Sequence, residues 1–404
     1  MLFNTWSFAL FAIFAIAIFA IVPPRYRAYW LIFSGVAFYA SAGPKYLILM
    51  LGLTLATYGA ARLMVSQSSE RRRMAITVAA ICLLIGVLIY FKYSRWILAS
   101  LGVIAHTQYS ARLGALLIPL AISFFTFEFV HFIIEVHRGH IRRFSLRDFA
   151  TFALFFPTMV AGPIKRYGLF SPQLGALRLA GGVQAQGAIY RIGCGLFKKL
   201  VIADSAHLFL QPISNPEAGY TALANALAMV AATITIYYDF SGYSDIAIGF
   251  AMLFGVGVPE NFARPFYASN IVEFWHRWHM SLTSWVRDYV FIPIGRELRG
   301  GERSHSTRAR LVAIGMSLVV MIIIGLWHGA GWHYAVWGLW NGITLAVYYL
   351  WRQLVVPQVA YLKRGNLFLD FASIALTDLS FIIGMPLIGA PSTHDAFSIY
   401  RSLF

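Results

Sequence analysis

Three short segments hold most of the side chains in this sequence that can do chemistry. In Gly325-Leu326-Trp327-His328-Gly329-Ala330-Gly331-Trp332-His333, His328 stands inside a run from Leu311 to Trp351 that has no Asp, Glu, Lys or Arg. An imidazole takes and returns a proton near neutral pH. A lone histidine in a soluble core is more often structural, but in hydrocarbon its burial needs a reason, which favours function. Gly325, Gly329 and Gly331 let neighbouring backbone or a substrate approach closely. The second segment runs from Glu273 to Tyr289. Read as one helix, it puts Trp278, Leu282, Trp285 and Tyr289 on one face and His276, His279, Thr283 and Arg287 on another. Such an amphipathic helix suits an interfacial anchor as well as a site. The third, Tyr237 to Asp245, closes an apolar run with two carboxylates and five hydroxyls. It reads as a polar cavity wall or a helix break flexing at Gly242, or equally as a wet helix end. The functional version pairs Asp239 or Asp245 with a basic or histidine side chain.

Two more segments place polar groups in apolar sequence. Gly162 to Tyr167 breaks a span and presents Lys165 and Arg166, either to phosphates of a cofactor or to lipid. Glu128, His131 and Glu135 fall on one helix face. His276 and His279, three apart, can share a metal with His328 or His333. No Cys joins them and no carboxylate has ligand spacing, so no metal is expected.

The elements that position these groups must lie in a bilayer. Of 404 residues, 59% are hydrophobic and 12% charged, too apolar for a soluble domain. Runs long enough to span recur at Trp6 to Val22, Tyr29 to Ala42, Tyr46 to Ala61, Met74 to Phe91, Leu113 to Phe127 and Tyr220 to Tyr238. With the shorter runs the expectation is roughly nine to eleven spans, plus interfacial or re-entrant helices. The fold class is an all-α integral membrane protein, a polytopic helical bundle. One membrane domain, 1–404, is expected: N-terminal spans over 1–115, a catalytic core over 116–351 where polar residues enter the spans, and C-terminal spans over 352–404.

The net charge of +16 resides in short loops, not in a basic stripe with interleaved aromatics, which argues against nucleic acid. It fits positive-inside anchoring and anionic headgroups. Met1 to Thr5 lack a basic n-region, so the first run is expected to be a span and not a cleaved signal. Arg25 and Arg27 after it, then Arg71, Arg72 and Arg73, place those loops in the cytoplasm and the N-terminus outside. Beyond Phe91, Arg95, Arg112, Arg138, Arg142, Arg143 and Arg147 do not all fall inside unless spans shift. Cys82 and Cys194 lie in apolar or membrane-adjacent sequence as small core residues, not as a disulfide framework.

At these segments the chain resembles the membrane-bound O-acyltransferase (MBOAT) family, in its bacterial alginate O-acetylation and teichoic-acid D-alanylation branches. The resemblance rests on SFFTFEFVHFIIEVHRG, FPTMVAGPIKRYGLFSPQL, GLFKKLVIADS, YYDFSGYSDIAIGFAMLFG, PENFARPFYASNIVEFWHRWHMSLTSWVRDYVFIPIG and LWHGAGWHYAVWGLWNG, ordered over nearly the whole chain. It implies that His328 is the catalytic histidine and His279 the second one, both facing a funnel through a helical bundle. It also implies a cytoplasmic acyl donor, as a coenzyme A or carrier-protein thioester, with no bound cofactor. In these branches an extracytoplasmic partner completes transfer. His276 stands where the family more commonly has Arg or Asn. The alginate relatives continue beyond the position of Phe404, and in length the chain is nearer the D-alanylation proteins.

The resulting expectation is a multi-pass acyltransferase of the bacterial cytoplasmic (inner) membrane, O-acylating a cell-envelope polysaccharide, most simply with acetyl. His328 acts as general base and His279 orients the acyl group or relays the proton. Asp239, Tyr243, Trp332 and Asn341 line the pocket, and Lys165 and Arg166 meet an anionic donor or partner. D-alanyl or other acyl transfer from a carrier protein is the alternative. A transporter would be expected to show inverted repeats with paired broken helices, and none is found.

Overall fold

With no water in hydrocarbon to satisfy backbone polar groups, an open chain must bond internally, and every regular element among the described residues is helical. The structure, a computed structural model, describes residues 3, 5–102, 118–300, 306–356 and 367–404. Met1, Leu2, Asn4, Arg112, the start of the Leu113–Phe127 run and the boundary drawn at 115–116 lie outside the described residues. Among the described residues, five helices are long and apolar enough to cross a membrane: Pro44–Val65, Glu70–Ser100, Ala222–Leu253, Thr307–His328 and Leu367–Gly389. Trp6–Ile21 is apolar but has 16 residues. Other apolar runs fold as short helices. Arg27–Ala40 has 14 residues and Ile122–His137 has 16, about 21 and 24 Å against a hydrocarbon core of about 30 Å.

The chain forms two compact units. One comprises Met1–Phe197 with Gly242–Pro259, the other Lys198–Ser241 with Glu260–Phe404. In the first, Phe8, Phe38 and Phe156 pack edge-on or tilted, and Phe132, Phe149 and Phe152 gather round Tyr167. The polar face of Ile122–His137 has a structural task here. Glu128 Oε1 accepts both from the Lys165 backbone N–H, at 3.1 Å, and from its ammonium, at 2.7 Å. His131 Nε2 accepts from the Tyr167 N–H at 3.0 Å. These bonds satisfy the N–H groups of Lys165, in the non-helical 162–166 segment, and of Tyr167, which opens the next helix.

Ala222–Leu253 is one continuous helix, so a break at Gly242, one of the readings of that segment, does not occur. Gly242 serves close packing instead. A Cβ on Gly195 would lie 2.6 Å from its carbonyl oxygen, and one on Gly249 would lie 2.9 Å from that of Ala188. Small residues let Gly182–Leu196 approach the second half of the long helix, and Arg191 bridges to Asp245 at 3.0 Å.

Two of the arginines after Phe91, Arg138 and Arg142, share a level with Arg73. Pro44–Val65 ends, Glu70–Leu88 begins and Ile122–His137 ends at one level. There Arg73 donates to the carbonyl oxygen of His137, and Thr77 Oγ1 lies 3.0 Å from His137 Nδ1. Arg138 and Arg142 border the same cavity as Arg73, which puts all three on the side assigned to the cytoplasm.

In the second unit, Thr307–His328 and Trp332–Leu354 form a tight helical hairpin. A Cβ on Gly325 would run into the Tyr334 carbonyl oxygen, and one on Gly338 into that of Met321. Beside them Phe274 stacks on Trp278, and Trp278 packs on Phe381 with centroids 4.8 Å apart.

Candidate active site

The segment from Glu273 to Tyr289 is not one amphipathic helix. Asn270 caps Ile271–Arg277 by accepting from the Glu273 N–H at 3.0 Å, and that helix stops before Trp278. A second helix, Met280–Val286, starts after His279, whose φ is +43°, in the left-handed region. The join is held from outside. The Met280 N–H donates to the Asn261 carbonyl at 2.9 Å, the Ala263 N–H to that of Arg277 at 3.0 Å, and Ser281 Oγ to Asn261 Oδ1 at 2.6 Å. Asn261 is fully buried. The aromatic face is not interfacial either: Trp278, Leu282 and Trp285 are buried in the unit's core, because the break turns them inward.

The break delivers His279 into a wall of rings. It is 2% exposed, its ring centroid 4.5 Å from Phe240 and 5.6 Å from Trp327. Neither of its ring nitrogens has a hydrogen-bond partner among the described residues. His328 is the last residue of its helix, half-buried where the chain turns through Gly329. Its ring lies 4.9 Å from Trp327 and 5.2 Å from Trp337, and Trp337 lies 6.0 Å from Trp275. Both imidazoles pack against the same indole, that of Trp327. Two histidines therefore share one aromatic-walled region, His279 offering bonding capacity that the protein leaves unused.

The other expected residues divide. Asn341 is buried in the hairpin, its amide donating to the Trp337 carbonyl at 2.8 Å, so it supports the helix beside His328. Trp332 is 58% exposed at the start of its helix. Asp239 meets a base and not a histidine: Lys199 Nζ lies 2.7 Å from Asp239 and from Asp204. Burial opposes that ammonium's charge, but the two carboxylates outweigh it and hold its pKa above the usual lysine value. Tyr243, Lys165 and Arg166 belong to the first unit, where Tyr243 packs on Phe3. Lys165 is 2% exposed and paired with Glu128 at 2.7 Å. Arg166 is half-buried beside it.

His276 is exposed and borders a separate, mainly apolar cavity of about 260 Å³ with Trp275 and Arg287. Among the described residues no three His, Cys, Asp or Glu side chains gather as a metal site. Asn261, Phe240 and Trp337 had no role in the sequence reading. Asn261 sits in PENFARPF and Trp337 follows the WHG motif, but neither carries a local signal of what it touches.

Residues 81–367 match the sequence profile of MBOAT, the membrane-bound O-acyltransferase family. The chain is 33% identical to the probable alginate O-acetylase AlgI of Pseudomonas aeruginosa, over 99% of its own length and 74% of that protein's. It is 29% identical to the peptidoglycan O-acetyltransferase of Helicobacter pylori, over 80% of this chain and 65% of the relative. With the teichoic acid D-alanyltransferase of Bacillus subtilis it shares 32% identity over 57% of this chain and 58% of the relative. By the extent of these matches and its helical, membrane-spanning architecture, this chain belongs to the membrane-bound O-acyltransferase family and is an acyltransferase.

Proposed function

We propose that this protein transfers an acetyl group from a cytoplasmic thioester, on coenzyme A or a carrier protein, for O-acetylation of a cell-envelope polysaccharide. The observation that carries the reading is His279, buried with both ring nitrogens unpartnered in the same aromatic-walled region as His328. In this mechanism His328 removes the proton from the acceptor hydroxyl as its oxygen attacks the thioester carbonyl. The C–S bond breaks, and His328 returns the proton to the departing thiolate. General-base help of this kind is typically worth about a hundred- to ten-thousand-fold in rate. His279 orients the acyl carbonyl or relays the proton. The similarity to alginate and peptidoglycan O-acetylating proteins supports an envelope polymer as final acceptor. An extracytoplasmic partner that completes transfer, and residence in the bacterial cytoplasmic membrane, belong to the same proposal.

Similarity to teichoic acid D-alanyltransferases favours a second reading, D-alanyl transfer from a carrier protein by the same histidine chemistry. One experiment addresses both. Membranes holding equal amounts of wild type or His328→Ala receive labelled acetyl donor or labelled D-alanyl carrier, and label is followed into the envelope fraction. Transfer of acetyl by wild type, lost in His328→Ala, is the expected result. Transfer of D-alanine alone selects the second reading. Equal acetyl labelling by both proteins removes His328 from the mechanism.

A further inference from the structure

The first unit holds a cavity of about 680 Å³ whose charge the acyl-transfer chemistry does not use. Arg73, Arg138 and Arg142 line it, with Glu70 as the carboxylate of its described wall, and Met64 and Val136 among its apolar side. Arg73 is engaged, bridging to Glu70 at 3.4 Å and donating to the His137 carbonyl. Arg138 bridges to Glu135 at 3.2 Å, which leaves the Arg142 guanidinium as the excess positive charge of the described wall. Arg142 donates its Nε–H to the Gly139 carbonyl at 3.0 Å, which directs the rest of its guanidinium away from the backbone. The cavity lies where three helices end or begin, at the level that the Arg71–Arg73 cluster assigns to the cytoplasmic surface.

We propose that this cavity binds the phosphate of an anionic phospholipid from the cytoplasmic leaflet. A guanidinium fork matches phosphate oxygens in pairs. Basic pockets between membrane helices on the cytoplasmic side take headgroups of this class. The mixed wall decides between sources of phosphate. Met64, Val136 and Ile141 are buried behind it, but Val65 at its rim is 50% exposed, apolar surface that a free anion leaves uncovered and that a lipid covers with the start of its acyl chains. The proposal does not depend on what the histidines do.

The test is native mass spectrometry of the full-length protein in detergent with equal amounts of phosphatidylglycerol and phosphatidylcholine. Wild type is expected to retain phosphatidylglycerol in preference. Arg142→Gln should lower that retention by about fivefold, the share of one basic residue near an anionic surface. Arg142→Lys should recover much of it, and Arg401→Gln, at an exposed arginine of the other unit, should change nothing. Equal retention of the two lipids by wild type overturns the proposal whatever the variants do. So does undiminished phosphatidylglycerol binding by a heat-stable Arg142→Gln. If millimolar inorganic phosphate protects the delipidated wild type from heat as well as phosphatidylglycerol does, the site takes a free anion and the lipid assignment falls.

Discussion

His279 is held at a cost. A buried polar atom without a partner typically forfeits about 1–3 kcal/mol, and a non-glycine residue in the left-handed region costs a similar amount; His279 combines both. In the proposed mechanism a residue so placed acts on a ligand and adds little to the fold. Asn tolerates the left-handed backbone. His279→Asn is therefore expected to lower acyl transfer at least about a hundredfold while the thermal midpoint in detergent stays within a few degrees of wild type. Full activity in His279→Asn would sink this account. Asn261→Ala should lose both activity and stability, because Asn261 ties the break together from its side chain and its backbone. Lys165 makes the opposite case. Removing one partner of a buried pair costs roughly 3–5 kcal/mol, whereas replacing both with apolar residues is often neutral. Glu128→Leu, which leaves both the Lys165 ammonium and its backbone N–H without their acceptor, should thus unfold at markedly lower temperature than Glu128→Gln with Lys165→Met, which keeps an acceptor for the N–H. That double variant should keep wild-type KM for the acyl donor, and a raised KM would return Lys165 to the donor site. His328 could be found from residue types because it interrupts the longest uncharged run. The partner of Lys165 could not, since Glu128 reaches it only through the folded chain, 37 residues away in sequence.

Helices were readable wherever composition alone decides them, as at Tyr46–Ala61 within Pro44–Val65. The break at Trp278 and His279 was not. The apolar period runs straight through it, and no Gly or Pro marks it; its cause is the 261–263 backbone, which captures the N–H of Met280 and the carbonyl of Arg277. The hairpin that ends in His328 has the opposite character, with its glycines visible in sequence and their purpose set by contact. Gly338→Ala places a methyl against the Met321 carbonyl, and helix backbone cannot yield as a flexible side chain does. Overpacking of this sort typically costs about 1–3 kcal/mol. Gly315 lies in the facing helix with open space around its Cβ position. There Gly315→Ala should stabilise by up to about 1 kcal/mol through helix propensity. Thermal unfolding of the two variants side by side checks this, and equal shifts would mean that the hairpin is looser than its geometry requires. Because the same crossing sets the end of Thr307–His328, Gly338→Ala should also lower acyl transfer, which Gly315→Ala should not.

For the molecule in its membrane, the sharpest consequence is topology. Charge counting assigned the loops at Arg25 and at Arg71–Arg73 to the cytoplasm but gave no single answer beyond Phe91, because it treats each run as a span and each arginine as independent. The contact between Arg73 and His137 removes that freedom: whatever side holds Arg73 also holds Arg138 and Arg142. The turn after Arg27–Ala40, at Ser41 to Gly43, precedes the Pro44–Val65 span and so faces the opposite side from Arg73. Arg142 and Ala42 are both exposed, and each can be replaced by Cys in a background of Cys82→Ser and Cys194→Ser. In spheroplasts, a membrane-impermeant maleimide should label Ala42→Cys while the cells are intact, and Arg142→Cys only after they are opened. Labelling of both positions from outside would overturn the assignment of Arg142 to the cytoplasm, and the lipid site with it. The expected asymmetry would instead put the anionic leaflet within reach of the Arg73–Arg142 cavity. It would also place the cytoplasmic end of Ile122–His137, the helix whose Glu128 and His131 clamp the 162–167 segment, at a membrane surface where bound lipid can brace it.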